Sequence, residues 1–266
     1  MTEIEHLQQV ILEIIKYIDN LCRLNKIQYY LLGGSCIGAI RHKGFIPWDD
    51  DMDIIMTPEN YSRFIEVCRT QLDTDKYIFQ QGLVDWPLNF SKVRLKGTVL
   101  HEPEDDYTAS DMHGIYVDIF CLDNAPDNNL LARIQYFFAK YYLCYQLAER
   151  GYKKATIYKK LMMVMSVPMR LGPVRKFVIK QATRYNKKQT SRYGFFYGRT
   201  RFRTAITPKY IYGTPKYVQF EDAQLPVPEY YHEYLTQMFG DYMQLPPENQ
   251  RKGFHLISVD FGEYKK

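Results

Sequence analysis

Three aspartates in two separate segments have the residue type and spacing of a divalent-cation site. Asp51 and Asp53 lie in the run from Trp48 to Met56, which passes from acidic to β-branched and apolar residues. Alternate side chains of a strand share a face, so Asp51 and Asp53 would project together while Met52 and Ile54 point into the core. Two carboxylates on one face repel each other unless a cation lies between them, and Mg²⁺ takes such hard oxygen ligands.

The neighbouring acids and a later aspartate extend this set. Asp49 would share the face if the strand began early, whereas Asp50 should point away. Asp118 is an isolated acid in the apolar strand candidate from Ile115 to Phe120, and a lone buried carboxylate is costly unless it is paired or bound to a metal. We expect Asp118 to be a third metal ligand. A general-base role toward an attacking hydroxyl and a core aspartate satisfied by a hydrogen bond or a lysine are the alternatives.

A glycine-rich turn lies between a short apolar run and a predicted helix. In Gly33-Gly34-Ser35 the glycines would permit close approach to a ligand, and the serine hydroxyl adds a hydrogen-bond donor. Backbone N–H groups at a helix start favour phosphate, so Gly34 and Ser35 are candidate phosphate contacts. An ordinary Gly-Gly turn is the alternative.

These side chains need a scaffold of alternating helices and strands. Apolar periodicity predicts helices over 3–26 and 36–42, with another that begins at Pro58 behind Thr57 as its N-cap. Strand patterns cover 28–32, 51–56, 77–80, 90–95 and 115–120, with an acidic exposed loop at 102–106. Helical patterns follow at 130–150 and 157–188, interrupted near Pro168 and Gly172-Pro173, and the chain from Pro208 is mostly irregular apart from a helix near 230–239. This order indicates an α+β (mixed α/β) protein, with a small mixed sheet flanked by helices and an appended helical, basic module.

Composition narrows the class of protein further. The chain has 266 residues, of which 46% are hydrophobic and 24% charged, enough to bury a substantial core. No basic and then apolar leader and no apolar run of roughly 18–20 residues is present, so a cytoplasmic location is expected. The five cysteines are scattered and form no Cys-x-x-Cys pair, so neither a zinc site nor a disulfide framework is indicated.

Charge is distributed unevenly along the chain. The net charge is +5, yet the stretch from Arg150 to Phe220 contains 18 Lys or Arg and no Asp or Glu. Such a segment would face something anionic, such as a lipid surface, a polyphosphate-like acceptor or nucleic acid. A solvated basic face is the alternative. Peripheral contact of 150–205 with the anionic inner face of a membrane follows as a hypothesis.

The glycine turn, the Asp-x-Asp strand and the later aspartate together resemble the nucleotidyltransferase superfamily. The run from Gly33 to Ile54 resembles the signature of the LicD family, which includes bacterial phosphocholine transferases and, more distantly, fukutin-type phosphoribitol transferases. Two further segments resemble the same family: Lys92-Val93-Arg94 with Gly97-Thr98, and the run from Phe239 to Pro246. The resemblance spans residues 20–120 and 208–255.

The resemblance implies a role for each matched residue. Asp51, Asp53 and Asp118 would be catalytic and would hold one or two Mg²⁺ ions, with Mn²⁺ as an alternative. The implied donor-phosphate and nucleotide contacts are Gly34, Ser35, Lys92, Arg94, Arg41 and His42. Lys92 and Arg94 have alternating strand spacing and could reach one face to neutralise phosphate, although a solvent-facing edge strand is nearly as compatible with the pattern. His42 could equally be a packing residue that holds the loop.

The implied reaction is in-line transfer of a phospho-alcohol, most simply phosphocholine from a CDP-linked donor, to a sugar hydroxyl with release of CMP. The acceptor would be a cell-surface glycan, either lipid-linked or part of lipopolysaccharide, capsule or teichoic acid. Ribitol, glycerol or ethanolamine donors remain open. No covalent intermediate is needed.

Two other functions are considered beside this one. A nucleotidyltransferase that acts on a small molecule or RNA would use the same fold. A basic nucleic-acid-binding module would use the aromatic and basic residues at 193–203, but it leaves the three carboxylates unexplained, so no nucleic-acid partner is expected. The predicted domain division is a catalytic core at 1–128, a basic helical module at 129–205 and a C-terminal segment at 206–266 that packs back on the core.

Overall fold

The computed structural model describes residues 2–101, 112–150, 156–198, 200–251, 253 and 258–265. Its α-helices are α1 (Glu3–Leu24), α2 (Gly33–Ile37), α3 (Pro58–Gln71), α4 (Asn129–Glu149), α5 (Ile157–Met165), α6 (Gly172–Ala182), α7 (Phe202–Ala205) and α8 (Tyr231–Phe239). Its strands are β1 (Tyr30–Leu31), β2 (Asp53–Met56), β3 (Tyr77–Gln80), β4 (Ser91–Leu95), β5 (Val99–His101), β6 (Tyr116–Cys121), β7 (Asp123–Ala125), β8 (Arg192–Gly194), β9 (Ile206–Pro208), β10 (Lys216–Phe220), β11 (Ala223–Val227) and β12 (Ser258–Asp260). A π-helical stretch (Gly38–His42) follows α2, and a 3₁₀ stretch (Val167–Arg170) lies between α5 and α6.

A five-stranded mixed sheet forms the centre of the fold. Its strand order is β1-β2-β6-β4-β3, in which β2 and β6 are parallel and the other neighbours are antiparallel. Three smaller sheets pair β10 with β11, β12 with β5, and β7, β8 and β9 with one another. The predicted mixed α/β class and small mixed sheet are confirmed.

Helix α1 covers this sheet with one apolar stripe. Thr2 and Glu5 form a capping box at its start, and the buried residues Leu7, Ile14 and Ile18 recur at helical spacing on the face toward β4 and β6. Thr57 accepts a hydrogen bond from the backbone N–H of Asn60 and caps α3, as predicted. These two helices fix the sheet from which the candidate site is built.

The apolar side chains form two clusters. The larger one joins α1, α3 and the central sheet to C-terminal residues such as Phe220, Tyr234 and Phe261, so the last part of the chain packs back on the sheet. The second cluster draws its members from between Ala125 and Ile206, mainly from α4 and α6. The division into three domains itself stays a prediction.

The C-terminal part contains more strand than its sequence indicates. The hairpin of β10 and β11 pairs five residues on each side, where a mostly irregular chain was predicted. Its turn carries Glu221 at φ +53° rather than a glycine or asparagine, and Pro226 lies within β11, so the usual hairpin signals are missing. The predicted acidic loop at 102–106 lies outside the described residues.

No described helix combines the length and the apolar character required to cross a bilayer. All five cysteines are free. Cys22, Cys36 and Cys68 are buried, and Cys121 and Cys144 are partly exposed.

Candidate functional site

The parallel pair β2 and β6 brings two of the predicted aspartates side by side. Asp53 and Asp118 are register partners, and neighbouring strands lie about 4.8 Å apart. Asp51 stands two residues before β2, and all three side chains line one cavity of about 830 Å³. The three acids therefore line one cavity, although they come from separate segments. The described carboxylates whose oxygens lie within 4.8 Å of one another are those of Asp49, Asp50 and Asp51.

The site accumulates negative charge. Burial, followed by the carboxylates of Asp51, Asp118 and Asp49, raises the pKa of Asp53 well above its usual range, and the Lys92 ammonium offsets this only in part. A set of hard carboxylate oxygens on a cavity wall, in which the neighbouring acids destabilise ionised Asp53, is the kind of donor set that a Mg²⁺ ion neutralises. The residues present therefore fit the implied cation.

Asp50 does not point away from its neighbours as predicted. Carboxylate oxygens of Asp49, Asp50 and Asp51 lie within 4.8 Å of one another, and Asp50 is buried. The prediction was wrong because β2 begins at Asp53, so strand alternation does not govern the preceding loop. Burial and the carboxylates of Asp51 and Asp50 raise the pKa of Asp49 to about 8.

The glycine turn closes against the same acids. Gly33 adopts φ +54°, a conformation that glycine enters without strain, and α2 then runs for only five residues into the π-helical stretch. A Cβ on Gly34 would lie 2.8 Å from Oδ2 of Asp49. The hydroxyl oxygen of Ser35 accepts a hydrogen bond of 2.9 Å from the backbone N–H of Asp53. Ser35 therefore positions the start of β2, and Gly34 leaves room for Asp49.

Lys92 lies under the acids rather than on an edge. Strand β4 lies between β6 and β3, and Lys92 is 1% exposed with its Nζ 3.0 Å from Oδ1 of Asp118. The same ammonium lies 3.1 Å from the centroid of the Tyr116 ring and 5.3 Å from that of Trp86. The solvent-facing alternative is wrong, and Asp118 has the lysine partner that its isolated position suggested.

Arg94 shares the strand but is not brought to the cavity. Its Nε donates to Oε1 of Gln80 at 2.8 Å and its Nη1 to the carbonyl of Gly114 at 2.9 Å, and the side chain is buried. These contacts join β4 to β3 and to the segment that enters β6. The alternating spacing predicted a second phosphate contact, but the guanidinium is committed to backbone and amide oxygens.

Arg41 contacts the family-like segment that runs from Phe239 to Pro246, and His42 contacts Arg41. Nη1 of Arg41 donates to the carbonyls of Tyr242 and Gln244 at 2.7 and 3.2 Å, and its Nε donates to Nε2 of His42 at 3.0 Å. Burial and the Arg41 guanidinium lower the pKa of His42, which favours a neutral ring that accepts this bond. Neither residue lines the cavity. They attach the C-terminal loop to the π-helical stretch, which matches the packing alternative for His42.

Aromatic side chains form part of the cavity wall. Phe120 lies two residues beyond Asp118 on β6, so both share one face. Its ring stacks on Phe90 at 4.6 Å and meets the edge of Phe195 at 5.3 Å. Helix α4 supplies Tyr136, Phe137 and Lys140 to the lining of the same cavity.

Tyr234 is a site residue that sequence reasoning missed. It is buried on α8, lines the cavity, and accepts a hydrogen bond of 3.2 Å from the backbone N–H of Gly33. Its neighbours Met238 and Phe239 line the same cavity one turn further along. The only signal in the sequence was the family-like segment that begins at Phe239, which indicated that this part of the chain approaches the site.

Comparison with known proteins agrees with this geometry. Residues 26–140 match the nucleotidyltransferase domain of the LicD/FKTN/FKRP family. The lipopolysaccharide cholinephosphotransferase LicD of Haemophilus influenzae is 31% identical over 259 residues, which cover 94% of each chain. Two uncharacterised proteins, from Rickettsia typhi and Rickettsia prowazekii, match shorter stretches of 55 and 42 residues at 36% and 43% identity, covering 21% and 16% of this chain and 18% and 16% of theirs. The match to LicD along nearly the whole chain, together with the carboxylates and the glycine turn of the family signature, shows that this chain belongs to the LicD family.

Proposed function

We propose that this protein is a Mg²⁺-dependent phosphotransferase that moves phosphocholine from CDP-choline to a sugar hydroxyl of lipopolysaccharide and releases CMP. The observation that carries the proposal is that Asp51, Asp53 and Asp118 all line one cavity of about 830 Å³, together with several aromatic side chains. The lipopolysaccharide cholinephosphotransferase of H. influenzae, similar along nearly the whole chain, supports the transferred group and the acceptor.

Asp51, Asp53 and Asp118 would hold the cation. A bound Mg²⁺ would neutralise charge on the donor phosphates and on the departing CMP. Asp118 carries the Lys92 ammonium at 3.0 Å, and this pairing stabilises the carboxylate over the carboxylic acid. We therefore assign Asp118 to holding the cation rather than to accepting the proton of the attacking hydroxyl.

The aromatic wall supports choline as the transferred alcohol. Choline is a quaternary ammonium, which aromatic ring faces attract. Alternate residues of a strand are about 6.6 Å apart, so a phosphate bound through a cation at Asp118 would place its alcohol beside Phe120 and the adjoining rings of Phe90 and Phe195. Ribitol or glycerol would gain nothing comparable from these rings.

The nucleic-acid alternative loses its structural support. Phe196 and Tyr197 are buried in the second cluster, and Tyr193 and Phe195 pack against the main one. The Phe196 ring is fully buried and cannot stack on a nucleotide base, whereas Phe195 and Tyr197 line the cavity of the candidate site. The basic residues around them remain, but without the interleaved aromatics that favoured that interpretation.

A panel of CDP-alcohols tests the proposal. The protein would be incubated with Mg²⁺, a lipopolysaccharide oligosaccharide, and CDP-choline, CDP-ethanolamine, CDP-glycerol or CDP-ribitol, while CMP is measured and the acceptor is weighed by mass spectrometry. We expect CMP release with CDP-choline and an acceptor heavier by one phosphocholine.

An acceptor that gains CMP, with phosphocholine released, would establish the nucleotidyltransferase alternative instead. CMP release only with another CDP-alcohol would keep the reaction and replace the substrate. Asp53→Asn should abolish turnover, whereas Asp222→Asn, on an exposed turn, is the matched control.

A further inference from the structure

We infer that α5, the 3₁₀ stretch and α6 form a surface that docks on an anionic lipid bilayer. On α5 the side chains of Ile157, Leu161 and Val164 are exposed, and their spacing of four and three residues places them on one helix face. Ile157 is 88% exposed and Val164 67%. A stripe of large aliphatic side chains in water is unfavourable unless another surface covers it.

Cationic side chains accompany these apolar ones. Lys160 is exposed between Ile157 and Leu161 on α5. On α6, Lys176 and Lys180 flank Phe177, which is 55% exposed. Amphipathic helices that lie in a membrane interface combine apolar and Lys- or Arg-bearing positions in this way.

The exposed residues of the three segments belong to one continuous surface. The hydroxyl of Tyr141 on α4 donates to the carbonyl of Met165 at 2.6 Å, which fixes the end of α5 against α4. Phe137 stacks on Tyr141, and its neighbour Phe138 meets Phe177 of α6 at 5.9 Å. Val167 and Leu171, both exposed, lie in the short connection between α5 and α6. We call this surface, from Ile157 to Lys180 with Phe137, the basic apolar face.

The positive charge of the basic apolar face favours an anionic bilayer over other partners. No Asp or Glu occurs between Arg150 and Phe220, so the face itself carries only cationic charges. Glu149 adjoins the face, with its Oε1 3.7 Å from Nε of Arg170. In a two-fold symmetric dimer, a second copy of the chain would bring the same positive surface against this one, which is repulsive. Nucleic acid would satisfy the lysines but would leave Leu161, Val164 and Leu171 in water. An anionic bilayer offers negative charge to the lysines and an apolar interior to the aliphatic side chains.

The face adjoins the cavity of the candidate site. Phe137 belongs to both, and Met162 on the inner side of α5 lines the cavity. If the proposed function holds, docking would present the cavity mouth to a lipid-anchored glycan without drawing it from the membrane. The docking itself does not depend on the reaction, so the two can fail separately.

Vesicle flotation of the full chain tests this inference without donor or acceptor. The partition coefficient would be measured with phosphatidylglycerol–phosphatidylcholine vesicles and with pure phosphatidylcholine vesicles, at low and high salt. We expect strong binding to the anionic vesicles only, reduced by salt, since a lysine near such a surface contributes about 1 kcal/mol. The variant Lys176→Glu/Lys180→Glu should lower the partition coefficient about tenfold or more, and Leu161→Ser/Val164→Ser should also lower it.

The matched control is Lys26→Glu/Lys216→Glu, which makes the same change in net charge at exposed positions outside the face and should leave binding near wild type. Circular dichroism and thermal unfolding would show that each variant is folded. Equal loss in the control and the α6 variant would overturn the inference, because only net charge would then matter. So would a concentration-dependent dimer that the Leu161→Ser/Val164→Ser variant abolishes, or binding to RNA in place of vesicles.

Discussion

The ammonium nitrogen of Lys92 lies 3.0 Å from Oδ1 of Asp118, and the two residues are register partners across β4 and β6. Asp118 is in turn the register partner of Asp53 on β2. Three neighbouring strands therefore carry a row of two acids and one cation. The lysine compensates one carboxylate, and the remaining negative charge lies toward the cavity, where a divalent cation would neutralise it.

Substitution of Lys92 tests whether its pairing with Asp118 stabilises the sheet. We expect Lys92→Met to lower the free energy of unfolding by about 3–5 kcal/mol, because Asp118 would be buried without its cation. Urea unfolding would measure the loss. Lys16→Met is the control, since it breaks a more exposed ion pair with Asp222 and should cost about 1 kcal/mol or less. Adding Asp118→Asn should restore part of the Lys92→Met loss. Similar costs for the two lysine variants would show that the pair does not stabilise the sheet.

Asp53 should affect activity and stability in opposite directions. Burial and the neighbouring carboxylates raise its pKa, so the ionised side chain costs free energy in the metal-free protein. Asp53→Asn should therefore leave the thermal unfolding temperature unchanged or higher, yet lower turnover by more than about a hundredfold through the lost cation. Mg²⁺ should raise the unfolding temperature of the wild type and of the Asp222→Asn variant. It should raise the unfolding temperature of the Asp53→Asn variant much less. Strong destabilisation of the Asp53→Asn variant would contradict this prediction and show that Asp53 stabilises the folded state.

We expect the addition of a single methyl group at Gly34 to lower turnover. A Cβ there would lie 2.8 Å from Oδ2 of Asp49, so Gly34→Ala must displace that carboxylate. We expect turnover to fall about ten- to hundredfold with little loss of stability, because a side-chain end moves rather than the backbone. Gly172→Ala is the comparison, since its Cβ would meet nothing within 4 Å. Equal activity of the two alanine variants would contradict a role for the space beside Asp49.

Stability should fall as the pH rises because of Asp123. Burial raises the pKa of this β7 carboxyl from 3.8 to about 7, and the hydrogen bond from Asn186 lowers it only in part. The native state therefore retains a proton that the unfolded chain has already lost, so stability decreases from about pH 4 to pH 7 and is then constant. Asp123→Asn keeps an acceptor for Asn186 and should remove this decrease, worth a few kcal/mol at about 1.4 kcal/mol per pKa unit. Parallel profiles of urea unfolding between pH 5 and 8 for the two proteins would refute this assignment.

The sequence predicted those parts of the molecule that depend on local pattern. The helix at α1, the cap at Thr57, and strands β3, β4 and β6 follow from periodicity and capping, and each is confirmed within a few residues. The convergence of Asp53 and Asp118 was predicted from the family signature, whereas its register depends on which strands become neighbours, which local pattern does not contain.

The errors share a physical cause. Strand alternation and turn composition alone are the basis of the predictions for Asp50 and the β10–β11 hairpin, whereas the phosphate role of Arg94 is implied by the family resemblance. Asp50 lies in a loop that the strand rule does not govern, and Arg94 bonds Gln80 and Gly114, partners distant in sequence. The hairpin forms despite Pro226 because its buried residues, such as Leu225 and Val227, join the main core. In all three cases the observed structure depends on tertiary packing, which local sequence pattern does not contain.

The most direct test of the central claim is an anomalous difference map from crystals grown with Mn²⁺ and CDP-choline. We predict a peak on the cavity wall, with carboxylate oxygens of Asp51, Asp53 and Asp118 at about 2.0–2.3 Å, and the donor phosphates beside it. A cavity wall without a peak, or a peak bound only by Asp49 and Asp50, would contradict the account.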